Sequence, residues 1–275
     1  MKLRLLGTAA GGGSPQWNCA CQQCLRARQT GAFRSQESAL LSGNGSDWYL
    51  INASPDLRSQ LLAAKELTPG PGLRETPLRG VLLTDAELDH TLGLFSLREA
   101  GELHVYATAA VLEALESALP VRPIVDPYGT PEQGWRWRNV YPGKDFDLPG
   151  GLFVTAFSLG EKKPRYAQHL GGSDWVVGYR IEDESGRVIV YAPCFAEWTD
   201  ALDNALADAE VAVIDGTFAT AKEMPNVKGH LSIADSQEHL ARHPGTRFRY
   251  THLNNTNPFL SDPQGLPLAG EMELL

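Results

Sequence analysis

A core strand that runs straight into a group of acidic residues is the feature that most constrains this chain. Val81, Leu82 and Leu83 form an apolar run typical of a buried strand, and Thr-Asp-Ala-Glu-Leu-Asp-His follows at residues 84–90. Carboxylates placed beside a core without a partner are costly. We therefore expect this group to lie at the mouth of a sheet and to face a cation.

The last two residues of that group, Asp89 and His90, pair a hard oxygen donor with an imidazole nitrogen. Zinc, iron and manganese all accept that mixture of ligands. A polar turn, in which the same residues merely cap the next helix, is equally compatible with the spacing. The apolar residues 91–97 predict that a helix starts directly after His90.

Length and charge limit the classes of function. The chain has 275 residues, 43% of them hydrophobic, and no low-complexity linker, which predicts a single α/β (α+β) domain over residues 1–275. A formal charge of −9 argues against a nucleic-acid partner and against an anionic membrane surface. No apolar run approaches the roughly 20 residues that a membrane span needs.

Three of the four cysteines lie in one C-x-C-x-x-C motif formed by Cys19, Cys21 and Cys24. Three thiols that close together can bind one tetrahedral metal ion, for which zinc is the best candidate, and a fourth ligand must come from elsewhere. Unpaired loop cysteines and a redox motif are the alternatives. Because such bunching does not suit a disulfide framework, we expect a cytoplasmic, reducing location.

The remaining pattern predicts two similar halves. Residues 38–51 form a hairpin around Asn44-Gly45, and residues 176–191 form another around Ser185-Gly186. Strands and helices follow each hairpin, as in a layered α/β fold. We also expect a proline-rich turn over residues 120–134 and a closing strand over residues 270–275.

Polar residues recur where predicted strands end. Asp215 and His252 each follow a strand, and His230 lies near the start of a helix, where an imidazole tends to stay neutral. Ligands of layered α/β folds gather at strand ends, so these residues and residues 84–90 are expected to share one cleft.

Three further features carry two interpretations each. Residues 160–169 form a basic loop that suits a carboxylate-bearing ligand or is simply solvated. Residues 135–138, Trp-Arg-Trp-Arg, suit an acidic or aromatic ligand or ordinary packing. Cys194, alone at a strand end, is typical of a small buried hydrophobe.

Fragments along nearly the whole chain carry a family resemblance. In order they are LGTAAGGGSPQWNCACQQC, INASPDLRSQL, LDHTLGLFSLRE, YAP, VIDGTF, GHL and THLNNTNP. Together they resemble the PqqB family, the metallo-β-lactamase-fold proteins of pyrroloquinoline quinone (PQQ) biosynthesis. The resemblance implies a four-layer αβ/βα sandwich, in which two mixed sheets are flanked by helices.

The chain departs from the metal motif of that superfamily, H-x-H-x-D-H, because residues 85–90 here are D-x-E-x-D-H. Asp85 and Glu87 replace the first two histidines, which implies at most one metal ion instead of a di-zinc centre. Cys194 stands where superfamily hydrolases carry a metal-bridging aspartate. Both departures argue against hydrolase chemistry.

The resemblance also implies roles for individual residues. Asp89, His90 and His252 match metal ligands, and one carboxylate with two imidazoles is the ligand set of non-haem Fe(II) oxygenases. Asp215 and His230 match positions suited to proton transfer or to orienting the ligands. The resemblance implies that the C-x-C-x-x-C motif holds a structural zinc. Asn255 stands where related phosphodiesterases have a zinc-binding histidine.

These implications favour an iron-dependent hydroxylase acting on a small tyrosine- and glutamate-derived precursor of PQQ. A non-catalytic carrier of PQQ or its precursor, with a transport-associated role, is the alternative. A residual metallohydrolase is less favoured, since Asp85 and Glu87 stand at the two positions where that chemistry needs imidazoles. The resemblance also allows a homodimer.

Overall fold

Two six-stranded mixed sheets form the centre of the structure, a computed structural model that describes residues 1–129 and 134–275. In the first sheet the strands lie in chain order. The first three strands pair antiparallel, and the later neighbours pair parallel. The strands are β1 (Lys2–Gly7), β2 (Ser38–Ser42), β3 (Trp48–Ile51), β4 (Leu78–Leu82), β5 (Leu103–Ala107) and β6 (Trp135–Asn139).

The second sheet has the same combination of antiparallel pairs followed by parallel pairs. Its first four strands pair antiparallel, and its last three pair parallel. This repetition confirms the two similar halves predicted from the sequence. The strands are β7 (Asp145–Leu148), β8 (Leu152–Gly160), β9 (Val176–Asp183), β10 (Val188–Ala192), β11 (Val211–Asp215) and β12 (Arg247–Thr251).

Short helices connect the strands. Among the described residues, every helix is too short or too polar to pass through a bilayer. The α-helices are α1 (Gln22–Thr30), α2 (Leu57–Ala63), α3 (Leu88–Thr91), α4 (Ala109–Glu113), α5 (Val121–Val125), α6 (Asp200–Ala205) and α7 (Ile233–Leu240). Further helical turns cover Lys65–Leu67, Leu92–Leu97, Ala114–Ala118, Asp126–Tyr128, Arg165–Ala167 and Pro258–Leu260.

Three apolar clusters separate four layers. Tyr49 and Ile51 of β3 face the second sheet, whereas Leu50 between them packs toward the helices on the outer face. This alternation follows from the period of two along a strand. A third cluster, which includes Leu202 of α6 and Ile214 of β11, fills the outer face of the second sheet. The helix–sheet–sheet–helix order confirms the predicted αβ/βα sandwich.

Both predicted hairpins form because their turn residues suit them. In the first, the Asn44 side chain accepts hydrogen bonds from the amides of Ser46 and Asp47 at 2.8 and 2.9 Å. Gly45 adopts φ +79°, a conformation that glycine reaches without strain. Gly186 plays the same part in the second hairpin, with φ +80°.

Two predicted segments differ from the structure. Residues 270–275 form no regular strand, although Leu275 and Leu3 exchange backbone hydrogen bonds beside β1. The predicted turn over residues 120–134 is wrong for its first half, which forms α5 and a 3-10 turn, and residues 130–133 lie outside the described residues.

The structure of residues 135–138, Trp-Arg-Trp-Arg, supports the packing interpretation over the ligand interpretation. Trp135 of β6 is buried, and its ring centre lies 5.6 Å from that of Trp137. The Trp137 indole donates a hydrogen bond to Asp126, which satisfies its polar end. Neither tryptophan lines the cleft described below.

Strand ends of both sheets meet at one edge. The Val177 amide of β9 donates a 2.8 Å hydrogen bond to the Thr84 carbonyl after β4, which joins the two sheets there. The parallel strands β10, β11 and β12 end at the same edge of the second sheet. Side chains that follow these strands are therefore close neighbours.

Candidate metal centre

A cleft of about 510 Å³ opens at this shared edge. The acidic residues of the segment after β4 line it together with His90, and His230 and His252 face them from the second sheet. Asp215 lies directly behind the cleft wall, 2.8 Å from the His230 ring. The sequence prediction of one shared cleft is therefore confirmed for residues 85–90, His230 and His252, whereas Asp215 contacts the cleft only through His230.

His90 is fully buried and held by a carboxylate. Its Nδ1 lies 2.8 Å from Asp85 Oδ2, and Asp85 is fixed in turn by the Glu87 amide at 2.8 Å. Nε2 of His90 has no hydrogen-bond partner within the described part of the chain, although Glu37 Oε2 lies 3.3 Å away. A carboxylate on one imidazole nitrogen and a free second nitrogen is the arrangement of metal-binding histidines.

His252 is oriented by its backbone and by Thr217. Its φ of +56° lies in the left-handed region, which costs about 1–2 kcal/mol for a residue with a side chain. The Thr217 hydroxyl donates to Asp215 at 2.6 Å, so it accepts from His252 Nδ1 at 2.9 Å.

This hydrogen bond leaves the lone pair of neutral His252 on Nε2, which lies 3.2 Å from Asp89 Oδ2. A lone pair that faces a carboxylate calls for a proton or a metal ion between them. The orphaned nitrogen of His90 and this contact both fit a bound cation.

Asp89 packs against the glycine-rich turn that follows β1. A side chain added at Gly11 would come within 3.1 Å of Asp89 Oδ2, so glycine permits this close approach. The compact group of possible metal ligands, with atoms within 4.8 Å of one another, consists of His90, His252 and Cys194. Asp89 joins this group through its contact with His252.

Cys194 lies beside the two histidines, at the position that the resemblance matched to a metal-bridging aspartate. It is buried and packs among apolar residues, as predicted, but it also lines the cleft. A second compact group joins its sulfur with Asp215 and His230.

Negative charge dominates the electrostatics. Burial disfavours a charged His90, but the charges of Asp85 and Asp89 outweigh burial and raise the pKa of His90 to about 10. Burial also opposes ionisation of Asp89, yet the charge of His90 and the contact with His252 lower the pKa of its carboxyl. Burial likewise opposes ionisation of Asp215, and the contacts with His230 and Thr217 outweigh burial and lower the pKa of its carboxyl. The centre thus stabilises a positive charge, either a proton or a metal ion.

Glu37 is a residue that sequence reasoning missed. It is fully buried beside His90, accepts a 2.7 Å hydrogen bond from Asn52, and also accepts one from the Tyr191 hydroxyl. Burial raises the pKa of Glu37, although the charge of His90 opposes that shift. Its neighbours Gln36 and Ser38 are polar, so no local signal reveals that it faces His90.

The basic loop reaches the cleft, as the ligand interpretation requires. Lys162, Lys163 and Arg165 all line it. The Lys162 ammonium lies 3.4 Å from Glu87 and 3.5 Å from His230 Nε2. Lys163 donates instead to the Leu170 carbonyl and lies over the Trp175 ring, so it is already engaged.

The thiol cluster, formed by Cys19, Cys21 and Cys24, is a separate site. All three cysteines are free, and their sulfur atoms lie within 4.8 Å of one another. The Asn255 side-chain amide lies 3.2 Å from the Cys19 sulfur and 3.3 Å from the Cys24 sulfur. Asn255 is thus the fourth polar group around a point that three thiols surround.

Comparisons with known proteins agree with this fold. A family model of the beta-lactamase superfamily domain matches residues 47–253. The coenzyme PQQ synthesis protein B of Cupriavidus necator is 40% identical, and the match covers 97% of this chain and 94% of that protein. The crystal structure of Zn²⁺-bound PqqB from Methylobacterium extorquens superposes with a TM-score of 0.86 at 30% identity, covering 100% of this chain and 99% of that one.

A diphosphatase from the PhnP family superposes with a TM-score of 0.73 at 19% identity, over 100% of this chain and 96% of that one, which shows the fold alone. The fold and the strand-end cleft therefore define a protein of the beta-lactamase superfamily. Within it, the chain belongs to the coenzyme PQQ synthesis protein B family.

Proposed function

We propose that this chain is a metal-dependent enzyme of PQQ biosynthesis that hydroxylates a small tyrosine-derived precursor with one Fe(II) ion. The observation that carries the proposal is the meeting of Asp89, His90 and His252 in one cleft, although Asp89 and His252 are 163 residues apart in the chain. Membership of the PQQ synthesis protein B family supports the pathway.

In this proposal Asp89, His90 and His252 hold the iron, since one carboxylate and two imidazoles suit Fe(II) in oxygenases. Iron bound there would supply the activation of dioxygen. One oxygen atom enters the ring C–H bond, and the other leaves as water after two electrons from an external reductant and two protons.

The chain's own residues orient the ligands and move protons. Asp85 fixes the ring of His90, and Thr217 fixes that of His252. His230 lines the cleft with Asp215 behind it, so His230 is suited to accept or donate a proton there. The buried carboxylates keep the site selective for a cation.

The cations at the cleft mouth support an acidic substrate. Lys162, Arg165 and Lys228 line it in a chain with an overall charge of −9. A precursor derived from tyrosine and glutamate carries carboxylates that these residues can bind. The edge-on contact of Phe218 with His230, 5.9 Å between ring centres, adds an apolar wall for the aromatic ring.

The proposal assigns a structural zinc to the thiol cluster. It also places the chain in the cytoplasm, because free thiols at Cys19, Cys21 and Cys24 suit a reducing compartment. Residues 1–275 act as one domain in this proposal, and homodimer formation can be tested by analytical ultracentrifugation.

The test is anaerobic loading with Fe(II), followed by oxygen, a reductant and a small peptide that contains tyrosine and glutamate. We expect a product heavier by one oxygen atom, and we expect His252→Ala to lose both bound iron and product. His169→Ala, which removes an exposed imidazole outside the cleft lining, serves as the matched control. Absence of product from iron-loaded protein, or full iron content in His252→Ala, contradicts the proposal.

A carrier function is the second candidate. The observation that favours it is the loss of both superfamily histidines: Asp85 pairs with His90, and Glu87 pairs with Lys162. Tight binding of PQQ by metal-free protein without turnover would support a carrier. A di-zinc hydrolase has less support, since neither carboxylate is free.

A further inference from the structure

We propose that Cys194 provides a thiolate ligand to the metal ion in the cleft. The inference rests on the proposed metal-dependent function and adds a sulfur donor to Asp89, His90 and His252. Cys194 matches the position of an aspartate that bridges two metal ions in superfamily hydrolases. In this chain its sulfur would bind a single ion.

Cys194 lies close to two imidazoles of the cleft. It follows β10 by two residues, so its side chain emerges at the strand-end edge of the second sheet. Its sulfur and one nitrogen each of His90 and His252 lie within 4.8 Å of one another, close enough to contact a common ion.

His90 carries an independent observation. Its side chain is fully buried, and its Nδ1 is already taken by Asp85. Its Nε2 has no hydrogen-bond partner among residues 1–129 and 134–275, and Glu37 Oε2 lies 3.3 Å away as a second anionic neighbour of any bound cation. A buried nitrogen without a partner is costly, and a metal ion beside the Cys194 sulfur would satisfy it.

The second compact group, which Cys194 forms with Asp215 and His230, is less suited to hold the ion. Asp215 Oδ1 accepts from the Thr217 amide and hydroxyl, and Oδ2 accepts from the Phe195 amide and faces His230 Nδ1. A carboxylate has about four acceptor sites, so this one has none left for a metal. The ion therefore belongs on the side of His90 and His252.

Packing alone does not account for this placement. A thiol that only fills space gains nothing from lying between the polar side chains of His90, His252, Asp215 and His230. A metal ion, in contrast, deprotonates a thiol that binds it. A thiolate with a carboxylate also balances the charge of a divalent ion, which the neutral imidazoles do not.

Cobalt(II) provides a test that does not depend on turnover. Protein that retains zinc in the thiol cluster, verified by element analysis, is titrated with Co(II) and followed by absorption. We expect one added cobalt and a near-ultraviolet sulfur-to-cobalt charge-transfer band. Cys194→Ala should lose the band and bind cobalt at least tenfold more weakly, whereas Cys194→Asp should keep cobalt but lose the band.

X-ray absorption at the cobalt edge of the unmodified protein needs no variant, so it decides the question even if a variant does not fold. A sulfur neighbour of cobalt supports the proposal. Cobalt with only nitrogen and oxygen neighbours, or an unchanged band in Cys194→Ala, overturns the role of Cys194 and leaves the proposed function standing. Absence of any cobalt or iron binding in the cleft would overturn both.

Discussion

The thiol cluster draws its three sulfur atoms from six consecutive residues, Cys19 to Cys24, whereas the cleft draws its ligands from strand ends of two sheets. The cluster's polar companion is the neutral amide of Asn255. The cleft is surrounded by carboxylates, among them Glu37 and Asp85. The first site therefore suits an ion that ties a segment down, and the second suits an ion whose charge and ligands are tuned by the fold.

The two sites also differ in what holds their ligands in place. The loop before α1 contains turns and no long helix or strand, and Arg28 of α1 holds it through hydrogen bonds to the Gln16 and Cys19 carbonyls. In the cleft, every proposed ligand is oriented by a protein hydrogen bond or by a strand end. Metal loss should consequently affect stability at the cluster and chemistry at the cleft.

The largest expected effect is on stability after loss of a cluster thiol. Cys24→Ser removes a fully buried sulfur, and we expect it to lose the cluster zinc. The free energy of unfolding should fall by several kcal/mol, because binding energy at a structural zinc site is folding energy. Zinc content and urea unfolding measure both effects.

Gln29→Ala, at an exposed position of the same helix, is the control and should keep both zinc and stability. If Cys24→Ser unfolds at the same urea concentration as the parent protein, the proposed contrast between the two sites is wrong.

A smaller effect is expected from Asp85→Asn, which keeps the shape of the side chain but removes its charge. The variant should hold His90 less firmly, and affinity for the cleft metal should fall by about 10–100-fold, as is usual for residues that orient a metal-binding histidine. Cluster zinc should not change. Metal titration with element analysis tests this, and an unchanged affinity would show that Asp85 does not support His90.

The smallest expected effect provides a reference far from both sites. Asp183 pairs with the N-terminal amine at 2.9 Å; burial raises its pKa, but hydrogen bonds from Ser185 and from that amine outweigh burial and lower it. Because the folded pKa lies below the unfolded value of about 3.9, the pair stabilises the protein above that pH and loses this effect as the pH falls.

Asp183→Asn should therefore reduce the free energy of unfolding by about 0.5–1.5 kcal/mol at pH 7, the net contribution of a typical hydrogen bond, because asparagine keeps one acceptor oxygen. The deficit should shrink as the pH falls below 4. Asp147→Asn, at an exposed position of β7, should change little. A deficit independent of pH would show that charge at Asp183 is not the cause. The pH dependence of this stability difference distinguishes unfolding by acid from the release of the two proposed ions by acid.

Local chemistry explains which parts could be predicted from the sequence. Asn44-Gly45 and Ser185-Gly186 specify their hairpins through turn geometry, and both formed. The cysteine motif is local too, and its sulfur atoms do converge. The shared cleft was predictable because polar residues such as Asp215 and His252 follow apolar strands.

Contacts between distant segments explain what could not be predicted. Glu37 has no unusual neighbours in the chain, and its burial beside His90 arises only when the sheets stack. Thr217 orients His252 across 35 residues of sequence, which no spacing rule anticipates. The helical residues after β5 change from α4 to the π-helical segment Ala114–Ala118. Residues 270–275 lack a strand pattern strong enough to specify regular pairing.

Asn255 at the thiol cluster and His252 in the cleft lie only three residues apart, on the turn that follows β12. An ion held at the sulfur atoms therefore anchors the short backbone segment that carries His252. The left-handed backbone of His252 in turn orients its ring. Loss of the proposed cluster zinc would, by this linkage, disturb the cleft without altering any side chain inside it.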